Sequence, residues 1–230
     1  MGLFGFKRKE KTQPAVLPVE EKDAGSEDLL KLAQEEYRKA LALRDSYQGD
    51  DEDEAEVRRG VAECRLGELN LASGEPGEAL SNFENAAEIR EKVTGRNPQE
   101  KYRKIYTDIL RKLGKVQREE AVLKIRANPL RSLNYVQPVY ATVMKVVRTE
   151  RRLAEEFPTV ENRVELARAL YSQAELEADK TRMRRVAEEV LEIITQLQEE
   201  AGENTAGLDD IGQIEQDIRE LLKQRRIKIR

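Results

Sequence analysis

Apolar residues recur along most of this chain at steps of three and four, the spacing that lines one side of an α-helix. The first such run is Leu29, Leu32, Ala33, Tyr37, Ala40 and Leu41. Ser26 offers an N-cap, Glu27 and Asp28 suit the positive end, and Gly49 marks the stop. A second helix follows the acidic run Asp50 to Glu56, carries Val57, Val61, Cys64, Leu66 and Leu69, and reaches a turn at Ser73-Gly-Glu-Pro-Gly77. A third is predicted from about 78 to 93, closed by Gly95. Asn97, Pro98 and Glu100 form a capping pattern for a fourth, which is expected to end near Gly114. A shorter helix is expected over about 117–127. Pro129 and Pro138 then bracket an irregular stretch, and the period resumes over 139–156, 159–178, 180–201 and 208–226.

Two of these segments repeat each other. Leu32 to Gly49 and Glu78 to Gly95 align without a gap, setting Ala33 against Ala79, Tyr37 against Phe83, Ala40 against Ala86, Arg44 against Arg90 and Gly49 against Gly95. A helix pair returning after roughly 40 residues is the signature of a solenoid. Within residues 62–95, small residues stand among good helix formers. Leu66, Gly67, Gly74, Ala79, Phe83 and Ala86 fall in the register of the tetratricopeptide repeat, whose unit is about 34 residues. The chain resembles that family most clearly over about 60–95. Arg90 and the Gly95-Arg-Asn-Pro98 link resemble its longer-linker, kinesin-light-chain-type variant. A fainter repeat is carried by Leu170, Tyr171, Ala174, Ala178, Met183, Ala187 and Val190. The resemblance implies an all-α, right-handed solenoid of antiparallel helix pairs; a plain antiparallel helical bundle is the alternative. Gly67 and Ala79 would let paired helices approach, with Phe83 filling the gap to the next pair.

Composition agrees with long amphipathic helices: 37% of the residues are charged, 5% are aromatic, and Trp is absent. There is no His, and Cys64 is the one cysteine, so imidazole bases, Cys/His metal sites and disulfides are excluded together. No Walker or dinucleotide glycine pattern occurs. The Asp50 to Glu56 run lacks calcium-loop spacing, because Ala55 and Val61 stand where Gly and Glu are needed. A non-enzymatic protein with no cofactor and no metal is expected. A lone cysteine and the lack of a long apolar run point to a cytoplasmic location.

Charge is unevenly spread. Residues 101–152 hold 14 Lys or Arg against 4 Asp or Glu, whereas 26–100 hold 10 against 19. Either neighbouring repeats neutralise each other, or a basic patch accepts an acidic peptide or, as the alternative function, a nucleic-acid backbone. By the resemblance, partners bind along the concave surface of first helices, which implies Cys64, Glu68, Lys101, Lys104, Asp108, Arg111, Arg168 and Ser172 as the partner-binding set. The Lys/Asn pattern that clamps a C-terminal carboxylate in chaperone-binding members is missing from these positions.

The resulting organisation is a disordered tail over 1–25, a repeat domain over 26–206 broken near 128–138, and an amphipathic capping helix over 207–230. Leu3, Phe4 and Phe6 beside Lys7, Arg8 and Lys9 allow a weak contact with a membrane surface. In the last helix Ile211, Ile214, Ile218 and Leu221 form a narrow seam. It either covers the end of the solenoid in a monomer or pairs in a homodimer.

Overall fold

The computed structural model describes residues 35, 52–201 and 210–228. The expected tail and, apart from Glu35, the helix from Ser26 to Gly49 with the copy of the repeat that it carries lie outside them, as does most of the link before the last helix. The described residues hold seven α-helices: α1 (Glu52–Ala72), α2 (Pro76–Arg96), α3 (Glu100–Ala127), α4 (Ser132–Glu156), α5 (Val160–Leu176), α6 (Lys180–Ala201) and α7 (Ile211–Gln224). No strand occurs among the described residues. The architecture is an all-helical solenoid.

Short links reverse the chain between successive helices, and each helix packs on its neighbours in sequence. Helices two apart are joined by long charged side chains, which defines two layers. In one, α1 meets α3 through Glu68 and Lys112 (2.7 Å), and α3 meets α5 through Arg118 and Glu175 (3.1 Å). In the other, Glu91 of α2 reaches Lys145 of α4 (2.7 Å), and Arg151 of α4 reaches Glu189 of α6 (2.5 Å). Between the layers runs an apolar core that includes Phe83, Leu110, Leu113, Val146, Leu170, Val190 and Ile194.

The turn between α1 and α2 is built by Gly74, whose φ of 77° is the left-handed conformation that glycine adopts without strain. The Gly74 amide donates to the Leu71 carbonyl and that of Glu75 to Asn70, the pair of bonds that closes a helix with a C-terminal glycine. Pro76 then opens α2 at a position where its missing amide costs nothing. The small residues of this pair make room. A Cβ on Gly67 would stand 3.0 Å from the Phe83 ring, and one on Gly60 3.1 Å from the Arg90 Nε. Arg90 is fully buried, and its Nη2 donates to the Val57 carbonyl (2.9 Å).

Several boundaries differ from those that the sequence suggests. Gly95 lies inside α2, which runs on to Arg96. The Asn97-Pro98-Glu100 pattern does not cap α3: the helix starts at Glu100, after Gln99, and no side chain caps it. Gly114 does not end a helix, because α3 runs unbroken for 28 residues with a buried stripe from Arg103 to Ala121. Helix packing along that stripe outweighs the glycine cost of about 1 kcal/mol. The irregular stretch shrinks to Asn128 and a 3-10 turn (Pro129–Arg131). Pro138 lies within α4, in an exposed part that precedes the first buried residue, Val139. Helices of 28 and 25 residues make α3 and α4 too long for a repeat of about 34.

Toward the C-terminus, Thr159 caps α5, its hydroxyl accepting from the Asn162 amide (3.2 Å). Helix α7 packs against both α5 and α6. Its buried residues are Ile211, Ile214, Ile218 and Leu222, so the seam closes on Leu222 rather than on the half-buried Leu221.

Candidate interaction surface

The residues implied as partner contacts fall on α1, α3 and α5 and differ widely in availability. Cys64 is 8% exposed, beneath Lys112, whose Nζ lies 3.8 Å from its Sγ, and burial pushes the thiol pKa up. This corrects its expected role as a surface contact, because α1 turns Cys64 into the core. Glu68 and Asp108 both bind Lys112, at 2.7 and 3.0 Å. Lys101 is exposed, with its ammonium 4.7 Å from the ring centre of Tyr102. Lys104 bridges Glu100 (3.1 Å) and Glu161 (3.0 Å). The Ser172 hydroxyl donates to the Arg168 carbonyl (3.2 Å).

Arg111 lies at the centre of a charge cluster. One of its amino groups contacts Glu150 (2.5 Å) and Glu165 (2.6 Å), Glu165 also binds Arg168, and Arg168 reaches Asp210 before α7 (2.6 Å). The Glu150 carboxyl is almost fully buried, and that burial raises its pKa; Arg111 opposes the shift and Glu165 adds to it. The cluster ties α3, α4, α5 and the start of α7 together.

Beside it a groove of about 240 Å³ opens between α3 and α5, with α4 as its floor. Leu110, Val143, Val146 and Ala169 supply an apolar base, and Arg111, Lys115, Arg118 and Arg168 stand around it. Gly114 lines the same groove. A Cβ there would meet only the Thr142 methyl, at 3.6 Å, so close packing does not demand the glycine. Arg118 is paired with Glu175, while exposed Lys115 has no ion-pair partner among the described residues. Of the expected contacts, the groove gathers Arg111, Arg168 and Ser172; Cys64, Glu68, Lys101, Lys104 and Asp108 lie outside its lining. Lys115 and Arg118 line the groove as well, outside the set that the resemblance implies. They follow Arg111 by four and seven positions, one helix face, and a helix ended at Gly114 hides that relation.

No group of His, Cys, Asp and Glu suited to a metal ion occurs among the described residues. None of the described helices is long and apolar enough to cross a membrane.

No family model matches the chain, and no curated protein matches it. Among solved structures, it is similar to the de novo designed helical repeat protein DHR64, at 15% identity and a TM-score of 0.41, over 86% of this chain and 96% of that one. A chain described as the DHF58 filament is 18% identical with a TM-score of 0.40, over 87% and 93%. Likeness at this level carries nothing about function.

Proposed function

We propose that this chain is a non-enzymatic interaction scaffold, an α-solenoid with one tetratricopeptide-like helix pair, which seats an acidic segment of a protein partner in the groove between α3 and α5. The supporting observation is the groove itself: an apolar base of Leu110, Val143, Val146 and Ala169 under Arg111, Lys115, Arg118 and Arg168. An extended or helical segment with alternating apolar and acidic residues meets both features. The apolar contacts supply affinity; Lys115, which has no ion-pair partner among the described residues, and Arg118, held by one partly exposed carboxylate, supply register and a faster encounter.

Lys115 and Arg118 are the cations to alter, because they can change without breaking the Arg111 cluster. A library of acidic peptides displayed against the full chain should yield binders that compete for one site. Lys115→Glu with Arg118→Glu should abolish their capture at unchanged helicity. Binders indifferent to that double reversal would refute the groove as their seat.

A nucleic-acid module built on 101–152 draws less support. Lys104, Arg111, Lys112, Arg118, Lys124, Lys145 and Arg151 are each held by a carboxylate of the same chain. Releasing them for a phosphate backbone would break those pairs.

A further inference from the structure

A second cavity, of about 400 Å³, opens in the other layer between α2 and α4, with the first turns of α3 behind it. Four cations line it: Arg103, Lys145, Arg148 and Arg152. Two of them are engaged. Arg103, 7% exposed, is held by Glu156 (2.8 Å), and Lys145 holds Glu91, the cavity's one carboxylate (2.7 Å). Arg148 and Arg152 are different: they stand one turn apart on α4, exposed, with no carboxylate partner among the described residues. Arg148 donates only its Nε, to the Met144 carbonyl of its own helix (3.2 Å), which leaves both terminal amino groups.

The hydroxyls sort in the same way. Thr94 and Thr149 give their protons to carbonyls of their own helices, those of Arg90 and Lys145. Tyr106 does not. It is 5% exposed and lines the cavity, and its buried hydroxyl has no hydrogen-bond partner of proper geometry. Burial raises its pKa, and so do the charge of Glu91 and a loose hydrogen-bonding approach to that carboxylate, while Arg148 pulls it back, so the phenol stays protonated. A buried donor whose neighbouring acceptor is badly aligned is costly, and a better-placed ligand acceptor would relieve it.

We propose that this cavity binds the phosphate group of a small phosphorylated molecule, taken by Arg148 and Arg152 at its mouth and by the Tyr106 hydroxyl at its back. A tetrahedral dianion offers three acceptor oxygens and nearly two charges, which matches two free guanidiniums and a hydroxyl donor better than a carboxylate does. Lys145 pairs with Glu91 and offsets its charge at the cavity wall. Two adjacent guanidiniums at one half-open cavity make a local site, unlike the continuous basic stripe that a nucleic-acid backbone follows.

The test titrates the full chain with inorganic phosphate, pyrophosphate and glycerol phosphate at constant ionic strength, read by calorimetry and phosphorus NMR. Saturable binding is expected, tighter at pH 8 than at pH 5.5 because the second phosphate proton leaves at about 6. Arg148→Ala with Arg152→Ala, both at exposed positions, should weaken it by at least about tenfold at unchanged helicity, through loss of charge-assisted bonds. Tyr106→Phe should weaken it by about threefold, the size of a neutral hydrogen bond. Tightest binding of the inorganic ion would assign free phosphate instead and overturn the phosphorylated ligand. An absence of saturable binding, or equal affinity in the double-arginine variant, overturns the site altogether. Lys115→Glu with Arg118→Glu should leave phosphate binding unchanged, so failure here is distinct from failure of the peptide groove.

Discussion

Gly67 of α1 faces the Phe83 ring of α2 so closely that a methyl group on Gly67 would lie 3.0 Å from the ring carbons Cε1 and Cζ. Phe83 is fully buried, so room for its ring to shift is scarce and the glycine sets how near the two helices come. Gly67→Ala should therefore destabilise the protein by about 1–3 kcal/mol despite alanine's better helix propensity. Urea unfolding followed by circular dichroism measures it, and an unchanged midpoint would contradict the contact.

The same substitution at Gly114 should act in the opposite direction. Gly114 is in mid-helix, and a Cβ there meets nothing closer than 3.6 Å. Gly114→Ala is expected to stabilise by about 0.5–1 kcal/mol through helix propensity alone. A raised thermal midpoint is the readout. A loss of stability would mean that the chain turns at 114 as the sequence pattern suggests.

Glu150 gives a pH dependence with a definite sign. Its folded pKa is raised, chiefly by burial, so the folded state holds this proton more tightly than the unfolded chain does. The stabilisation is complete below the ordinary glutamate pKa and is lost as pH rises through the folded value. Glu150→Gln should therefore gain on the wild type between pH 4 and pH 7. Paired denaturation curves at the two pH values test this, and a gap that closes or reverses toward neutral pH would exclude it.

Helix α7 buries Ile211, Ile214, Ile218 and Leu222 against α5 and α6. Ending the chain after Gly207 should cost several kcal/mol, at about 1.5–3 kcal/mol for each large side chain lost from the core as an upper bound. Light scattering should show association through the uncovered face. A truncated chain that stays monomeric and unfolds at the same temperature would show that α7 contributes little.

Much of the fold is legible in the sequence where one strong local signal acts alone. Gly74 followed by Pro76 sets the first turn, Thr159 the start of α5, and the spacing of Val186, Ala187, Val190, Ile194 and Leu197 the whole of α6. Boundaries differ from the sequence pattern where a local signal competes with packing. Gly95, Gly114 and Pro138 each read as a stop, yet each lies inside a helix whose neighbouring turns bury core residues. The candidate site suffered most. Splitting α3 at Gly114 separated Arg111 from Lys115 and Arg118, and no sequence signal indicates that Cys64 lies beneath Lys112 or that Arg111 is held by two carboxylates.

Periodicity by itself determined that the chain is helical, where most helices lie, and which small residues let two helices meet. Its charge totals also fixed that a basic middle follows an acidic stretch. Only the tertiary structure decided which of those charges stay available, because pairing depends on which helices become neighbours across a layer. Glu161 and Glu165, more than 50 residues from Lys104 and Arg111 in sequence, neutralise them, whereas Lys115, Arg148 and Arg152 face no such partner among the described residues. Helical period is a local property of the backbone; the placement of one helix beside another is set by side chains far apart in the chain.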